Sequence, residues 1–165
     1  MRRAILLTLL AFVLLGTGAC MGPTAFRTLR GGRTIYPDVI LGKPAILAFL
    51  SANDRRCDAH IKSLWSIGNR PGNPAQILGV MVYDDSSFVD QIDTLNYATY
   101  TIIMDPEKRL AGSFWVKSYP TFIFLDWEGD EVDRSTDVKE IAMWVDDPES
   151  YEEALPPPAE QRPAP

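Results

Sequence analysis

Three uninterrupted apolar runs constrain this chain more than any other feature: AILAFL at 45–50, QILGVMVYD at 76–84 and TFIFLD at 121–126. A strand with one wet face alternates apolar and polar residues, whereas a strand covered on both faces has no need to. The runs are short for buried helices and are bounded by turn residues, so they predict interior strands of a sheet. The stretches between them carry the helical period. Residues 58–68 set Ile61, Leu64, Trp65 and Gly68 at helical spacing, with Gly68 and Pro71 closing the helix. Residues 86–98 open on Ser86, a suitable N-cap, and bring Phe88, Ile92 and Leu95 to one face. A short helix over 106–115 has Pro106 in its first turn, and a last helix over 137–147 opens on Asp137. YTIIMD (100–105) is a further short strand, WEGDE (127–131) a hairpin turn, and residues 131–136 pair back as an edge strand. Strands alternating with helices predict βαβ units: an α/β fold with a mostly parallel central sheet and one antiparallel hairpin at its edge.

The ends of the chain read differently. MRRAILLTLLAFVLLGTGAC (1–20) has Arg2 and Arg3, then an apolar stretch, then small residues at 16–19, which is the order of an export signal. The apolar stretch falls short of the about 20 residues that a spanning helix needs. The small residues stop at Cys20, and this resembles a bacterial lipoprotein signal, although Thr17 stands where the typical Leu would be. On that reading residues 1–19 are removed and a lipidated Cys20 anchors the protein to a membrane by several acyl chains. Ordinary cleavage after Ala19, giving a soluble secreted or periplasmic protein, is the alternative. Residues 20–32 then read as a tether, 33–150 as the folded domain and 151–165 as a Pro-rich disordered tail.

Loss of residues 1–19 leaves 146 of the 165 residues, enough for one domain with a core. The net charge goes from −6 to −8, because Arg2 and Arg3 leave and no acid does. No basic patch remains, so nucleic acid is not an expected partner. Of the two cysteines, an acylated Cys20 cannot pair, which leaves Cys57 without an intramolecular partner. An odd cysteine in an exported chain is a packed thiol, an intermolecular bridge or a reactive site.

The segment GKPAILAFLSANDRRCDAHIKSL (42–64) is similar to the thioredoxin-like segment of TlpA-type and alkyl-hydroperoxide-reductase/thiol-specific-antioxidant proteins. There a Gly-Lys-Pro enters the strand and a Trp-Cys-x-x-Cys opens the helix. QILGVMVYDD (76–85) resembles the next strand of that family, and DPEKRLAGSFWVKSYPTFIFLDWEGDEV (105–132) its second signature, with Pro-Thr before a strand and Asp-x-x-Gly after it. The resemblance covers about residues 33–147. It implies a thioredoxin-like fold: a central mixed sheet with helices on both faces. It also puts Asn53 in place of the family's Trp and Asp54 in place of the attacking Cys. Arg55 and Arg56 fill the variable pair, Cys57 takes the place of the resolving Cys, and Pro120, between Tyr119 and Thr121, that of the family's cis-proline. In the family an extended peptide lies beside that proline.

Disulfide exchange needs an exposed thiolate to attack and a second thiol to release the mixed disulfide. In this fold the attacking Cys sits at a helix N-terminus, where the dipole lowers its pKa. Asp54 can cap that helix, but it cannot attack a disulfide. Dithiol oxidoreductase activity is therefore not expected. Cys57 keeps two readings. It is a small packed residue of the first helical turn, or it is the nucleophile of a one-cysteine peroxidase or reductase, with Arg55 and Arg56 as electrostatic support. The charge of Asp54 opposes the second.

His60, the only histidine, lies three residues beyond Cys57. Two ligands do not make a zinc site, so no metal and no cofactor is expected, and His60 reads as a surface residue. Trp65, Phe114, Phe122, Phe124 and Trp144 read as core; Trp115, Tyr119 and Trp127 are unplaced. The expected function is that of an exported, lipid-anchored envelope module, non-catalytic or weakly redox-active. Its partner would be a protein or peptide held by Asn53 and the rest of the 53–57 loop together with Tyr119, Pro120 and Thr121. The alternative is a one-cysteine enzyme using Cys57.

Overall fold

The apolar runs come together at the centre of a seven-stranded sheet. The structure, a computed structural model, describes residues 26–28, 34–35, 42–73, 75–83 and 100–146. Its strands are β1 (Phe26–Thr28), β2 (Thr34–Ile35), β3 (Ala45–Ser51), β4 (Gln76–Val82), β5 (Thr101–Met104), β6 (Thr121–Leu125) and β7 (Glu131–Ser135). Its helices are α1 (Cys57–Gly68), α2 (Arg109–Ser113) and α3 (Val138–Asp146). The strand order is β2-β1-β5-β4-β3-β6-β7.

The central strand β3 runs parallel to β4 and antiparallel to β6, so that Phe49 lies between Val80 and Thr121. Both of its faces are covered, as the unbroken apolar run requires. Ile46, Ala48 and Leu50 pack with Phe122 and Phe124 beneath α1 and α3, which contribute Ile61, Leu64, Ile141 and Trp144. Ala45, Leu47 and Phe49 face the other way, onto Val80, Ile123 and the α2 residues Leu110 and Ala111. The sheet thus carries helices on both faces.

Two expectations change. Only β3–β4 and β4–β5 among the six strand pairings are parallel, because apolar periodicity reports burial and says nothing of strand direction. Within the stretch read as a tether, Phe26–Thr28 forms β1, which pairs antiparallel with both β2 and β5. Phe26 and Thr28 are buried, two positions apart on one face as a strand demands, but three residues are too few to show a period. The helix expected over 86–98, the export signal with Cys20, and the tail at 151–165 lie outside the described residues.

The approach to the second half of the sheet is fixed by one carboxylate. Asp105, 1% exposed, follows β5 and accepts the amide N–H of Arg109 at Oδ1 (2.8 Å) and of Ala111 at Oδ2 (2.9 Å). It thereby seats α2, which begins three residues later than its Pro106 suggests. Asp105→Ala leaves the buried Ala111 amide and the part-buried Arg109 amide unpaired, a buried one being worth about 1–3 kcal/mol. The expected result is a loss of about 3 kcal/mol in chemical denaturation; a change under about 0.5 kcal/mol would mean that α2 is held by its apolar contacts alone.

Candidate functional site

β3 ends at Ser51, and a tight turn carries the chain into α1. The Asp54 N–H donates to the Ser51 carbonyl (3.1 Å), and the Cys57 N–H donates to the Asp54 carbonyl (2.9 Å). The Asp54 side chain works in the same turn: Oδ1 accepts the Arg56 amide (2.9 Å), and both carboxylate oxygens meet the Arg56 guanidinium at 3.4 Å. Partial burial pushes this carboxyl up, but the amide and guanidinium of Arg56, with His60 adding, outweigh it and hold the group below its usual value. Asp54 was expected to cap the helix. It caps the preceding turn instead, since α1 begins only at Cys57 with Arg56 as its flanking residue and no side-chain cap bond there.

Cys57 is a free thiol, 2% exposed, packed among Ala48, Ile61, Leu64 and their neighbours. Burial pushes its pKa up to about 12, with the charges of Asp58 and Asp54 adding to the effect. Arg55 and Arg56 give it no support: both are exposed, and Arg56 is turned onto Asp54. This corrects the expectation of an electrostatically activated thiolate. A nucleophilic thiol must be both accessible and ionised, and Cys57 is neither.

What the fold preserves is a cleft beside the proline. The Tyr119–Pro120 peptide bond is cis, and the loop is tied below by the Thr121 hydroxyl, which donates to the Ser118 carbonyl at 2.7 Å. Arg56 and His60 form one wall, Ser118, Tyr119 and Pro120 a second, and Thr136, Asp137 and Val138 at the start of α3 a third; together they enclose about 450 Å³. Of the residues singled out in the sequence, Arg56, Tyr119 and Pro120 line this cleft, and Thr121 lies buried under it. Asn53 and Arg55 are exposed residues of the turn and do not line it.

Two lining features escaped the sequence reading. The third wall follows from sheet order: β7 pairs with β6, which returns the start of α3 to the proline loop. His60 is the other. It was read as a surface residue, yet it is half-buried, with its ring edge-on to Phe122 at 6.2 Å between centroids. Its Nε2 is buried and has no hydrogen-bond partner among the described residues. Burial pushes the imidazole below its ordinary pKa, the charge of Asp54 opposing and that of Arg56 adding.

Among the aromatics, Trp65 was expected in the core and is 45% exposed, because the buried stripe of α1 is Cys57, Ile61, Leu64 and Ile67. Trp115 is 78% exposed and holds a left-handed backbone (φ 53°) at the end of α2. A residue without a glycine's freedom pays about 1 kcal/mol for that conformation.

No protein-family model matches the chain, and no curated protein sequence matches it. Solved structures do. The exposed lipoprotein thioredoxin of Streptococcus pneumoniae is similar with a TM-score of 0.63 and 22% identity, over 76% of this chain and 98% of that one. A secreted Mycobacterium tuberculosis disulfide oxidoreductase, homologous to the DsbE of E. coli, gives 0.63 and 18% over 75% and 95%. StoA from Bacillus subtilis gives 0.60 and 18% over 74% and 96%. Likenesses at this identity carry the fold and nothing finer. With its β3–turn–α1 unit facing a cis-proline loop across a mixed sheet, the chain has the thioredoxin-like fold.

Proposed function

We propose that this protein is an exported, lipid-anchored thioredoxin-like module that holds an extended segment of an envelope protein in its cis-proline cleft and performs no dithiol exchange. One observation carries the reading: the cleft is lined and the sulfur of Cys57 is buried, and the resemblance puts a carboxylate, Asp54, where the family has its attacking Cys. Chemistry that needs an exposed thiolate has no group to perform it, whereas holding a peptide needs only the cleft. Burial of Cys57 weighs equally against a one-cysteine peroxidase or reductase. Export and lipidation at Cys20 are supported by the order of residues 1–20 and by relatives in fold that are described as secreted or as an exposed lipoprotein.

The test is photo-crosslinking in the native host, with benzoylphenylalanine at position 119 and, as control, at the exposed position 62, together with metabolic labelling by an alkyne fatty acid. A discrete adduct from position 119 and none from position 62 is expected, with the lipid label lost in Cys20→Ser. Equal adducts from both positions would refute the cleft as the binding surface, and an unlabelled native protein would refute the anchor.

A further inference from the structure

Trp115 stands where the fold has least use for a tryptophan. α2 ends in a Schellman turn: the Trp115 N–H donates to the Gly112 carbonyl (3.1 Å) and the Val116 N–H to the Ala111 carbonyl (2.9 Å). Such a turn needs one left-handed residue past the helix end, most often Gly. Here that residue is Trp115, at φ 53°. Its side chain is 78% exposed, so packing in the core does not offset the strain. Backbone strain that the core does not explain collects at functional sites, and an exposed Trp is the side chain most used to anchor a partner.

Its place narrows what docks there. Arg134 of β7 donates to the carbonyl of the neighbouring Phe114 (2.8 Å), which puts Trp115 by the β7 edge of the sheet. β1, the strand that follows Cys20, is five strand spacings away in the sheet order, roughly 24 Å. An acyl chain on Cys20 would hold the opposite edge, so a bilayer is not the favoured occupant. The chain carries a better one. Residues 156–165, PPPAEQRPAP, hold five prolines and one cation, Arg162. Prolines favour the extended polyproline conformation, which docks on aromatic side chains at little cost in entropy, and Trp is the best ring for a guanidinium. This segment also reaches. Ser118, three residues after Trp115, and Val138, the first residue of α3, line the same cleft. Residues 147–158 can span roughly 40 Å. That is enough to retrace the roughly 14 Å of α3, cross the cleft and follow the loop for at most about 11 Å to Trp115.

We propose that Trp115 is a docking ring for the proline-rich tail of its own chain, with the prolines and Arg162 of residues 156–165 laid against the indole. The inference holds whether or not the cleft itself binds a partner.

The test is proton–nitrogen NMR on the chain from Met21 to Pro165 with a nitroxide on Ala159→Cys. Cys57 is buried, and the parent chain carried through the same labelling is the control. Trp115→Phe identifies the Trp115 indole signal. That signal is expected to lose more than half of its intensity relative to the reduced label, while Trp65 of α1, on the other face of the sheet, keeps its own. Replacing Pro156, Pro157 and Pro158 by Gly is expected to restore most of the intensity. A chain stopped at Ser150, which retains every described element, is expected to shift the Trp115 signal without any label. In that shorter chain Trp115→Gly is expected to raise the midpoint of chemical denaturation; a lowered midpoint would mean that the ring is held by packing and would overturn the premise. Full intensity in the labelled chain, or an unmoved signal on truncation, overturns the proposal. Broadening of isotope-labelled native chain by unlabelled spin-labelled chain overturns it in favour of a second copy's tail. A Trp115 signal moved by phosphatidylglycerol vesicles and not by truncation overturns it in favour of the bilayer.

Discussion

The chain from Met21 onward is expected to take up no thiol reagent at pH 8 until it is unfolded. Cys57 is then its only thiol, which makes the measurement a count of one site. A rise in pKa from 9.0 to about 12 leaves about a thousandfold less thiolate at any pH well below both values, and 2% exposure hinders the approach of the reagent as well. The labelling rate in native buffer should therefore lie at least about a thousandfold below that in denaturant. It should also climb steadily, about tenfold per pH unit from pH 6 to pH 8 as the thiolate fraction does well below the pKa, with no inflection in that range. Labelling within a few-fold of the denatured rate, or an inflection near pH 6–7, would mean that the sulfur is exposed and ionised in solution, and the alternative, a one-cysteine enzyme, would displace the binding module as the leading reading. The same experiment on Asp54→Asn separates the two causes: removal of a nearby charge changes the titration a little, while burial still excludes the reagent.

The second large effect is a gain. Asp54→Cys is expected to convert the protein into a dithiol oxidoreductase. The Cys57 N–H donates to the Asp54 carbonyl across a single turn, which places the two Cα atoms within about 7 Å, and disulfides bridge Cα separations of about 4.4–6.8 Å. The side chain at 54 is 20% exposed, so the new thiol would be the accessible one and Cys57 the resolving one. The variant should lose both free thiols on mild oxidation. It should also precipitate insulin in the presence of dithiothreitol at on the order of a hundredfold the rate of the native chain, which stays at background. Two thiols surviving oxidation would show that the turn cannot close a bridge. A bridge that forms but reduces no insulin would show that the cleft does not accept a polypeptide, which would count against the proposed function as well.

The parts of this fold that were legible in the sequence are those where burial dictates composition. Residues 45–50 are apolar without a break because helices cover both faces of β3. The α3 segment was legible because Ile141 and Trp144 lie three apart on one buried stripe. Strand direction was not legible, since β6 has the same apolar signature antiparallel to β3 as it would have parallel to it. β1 was not legible because Gly, Arg and Thr surround its three residues. In the site, the type of Asp54 was enough to say that it cannot attack a disulfide, while the places of Asp54 and Pro120 came from the resemblance to thioredoxin-like proteins. The burial of Cys57 and of His60 Nε2 could not, because each depends on the packing of distant residues around α1, Phe122 of β6 among them.

β1 bears on how the molecule would sit on its membrane. An acyl chain on Cys20 would be followed by only five residues before the sheet begins at Phe26, a reach of roughly 20 Å even when fully drawn out. That is less than one domain diameter, and β1 is stitched to β5. More slack would come only by peeling a strand that buries Phe26. The module would be moored rather than leashed, skimming the bilayer, and its encounters would be with proteins sharing the same two-dimensional sheet of lipid.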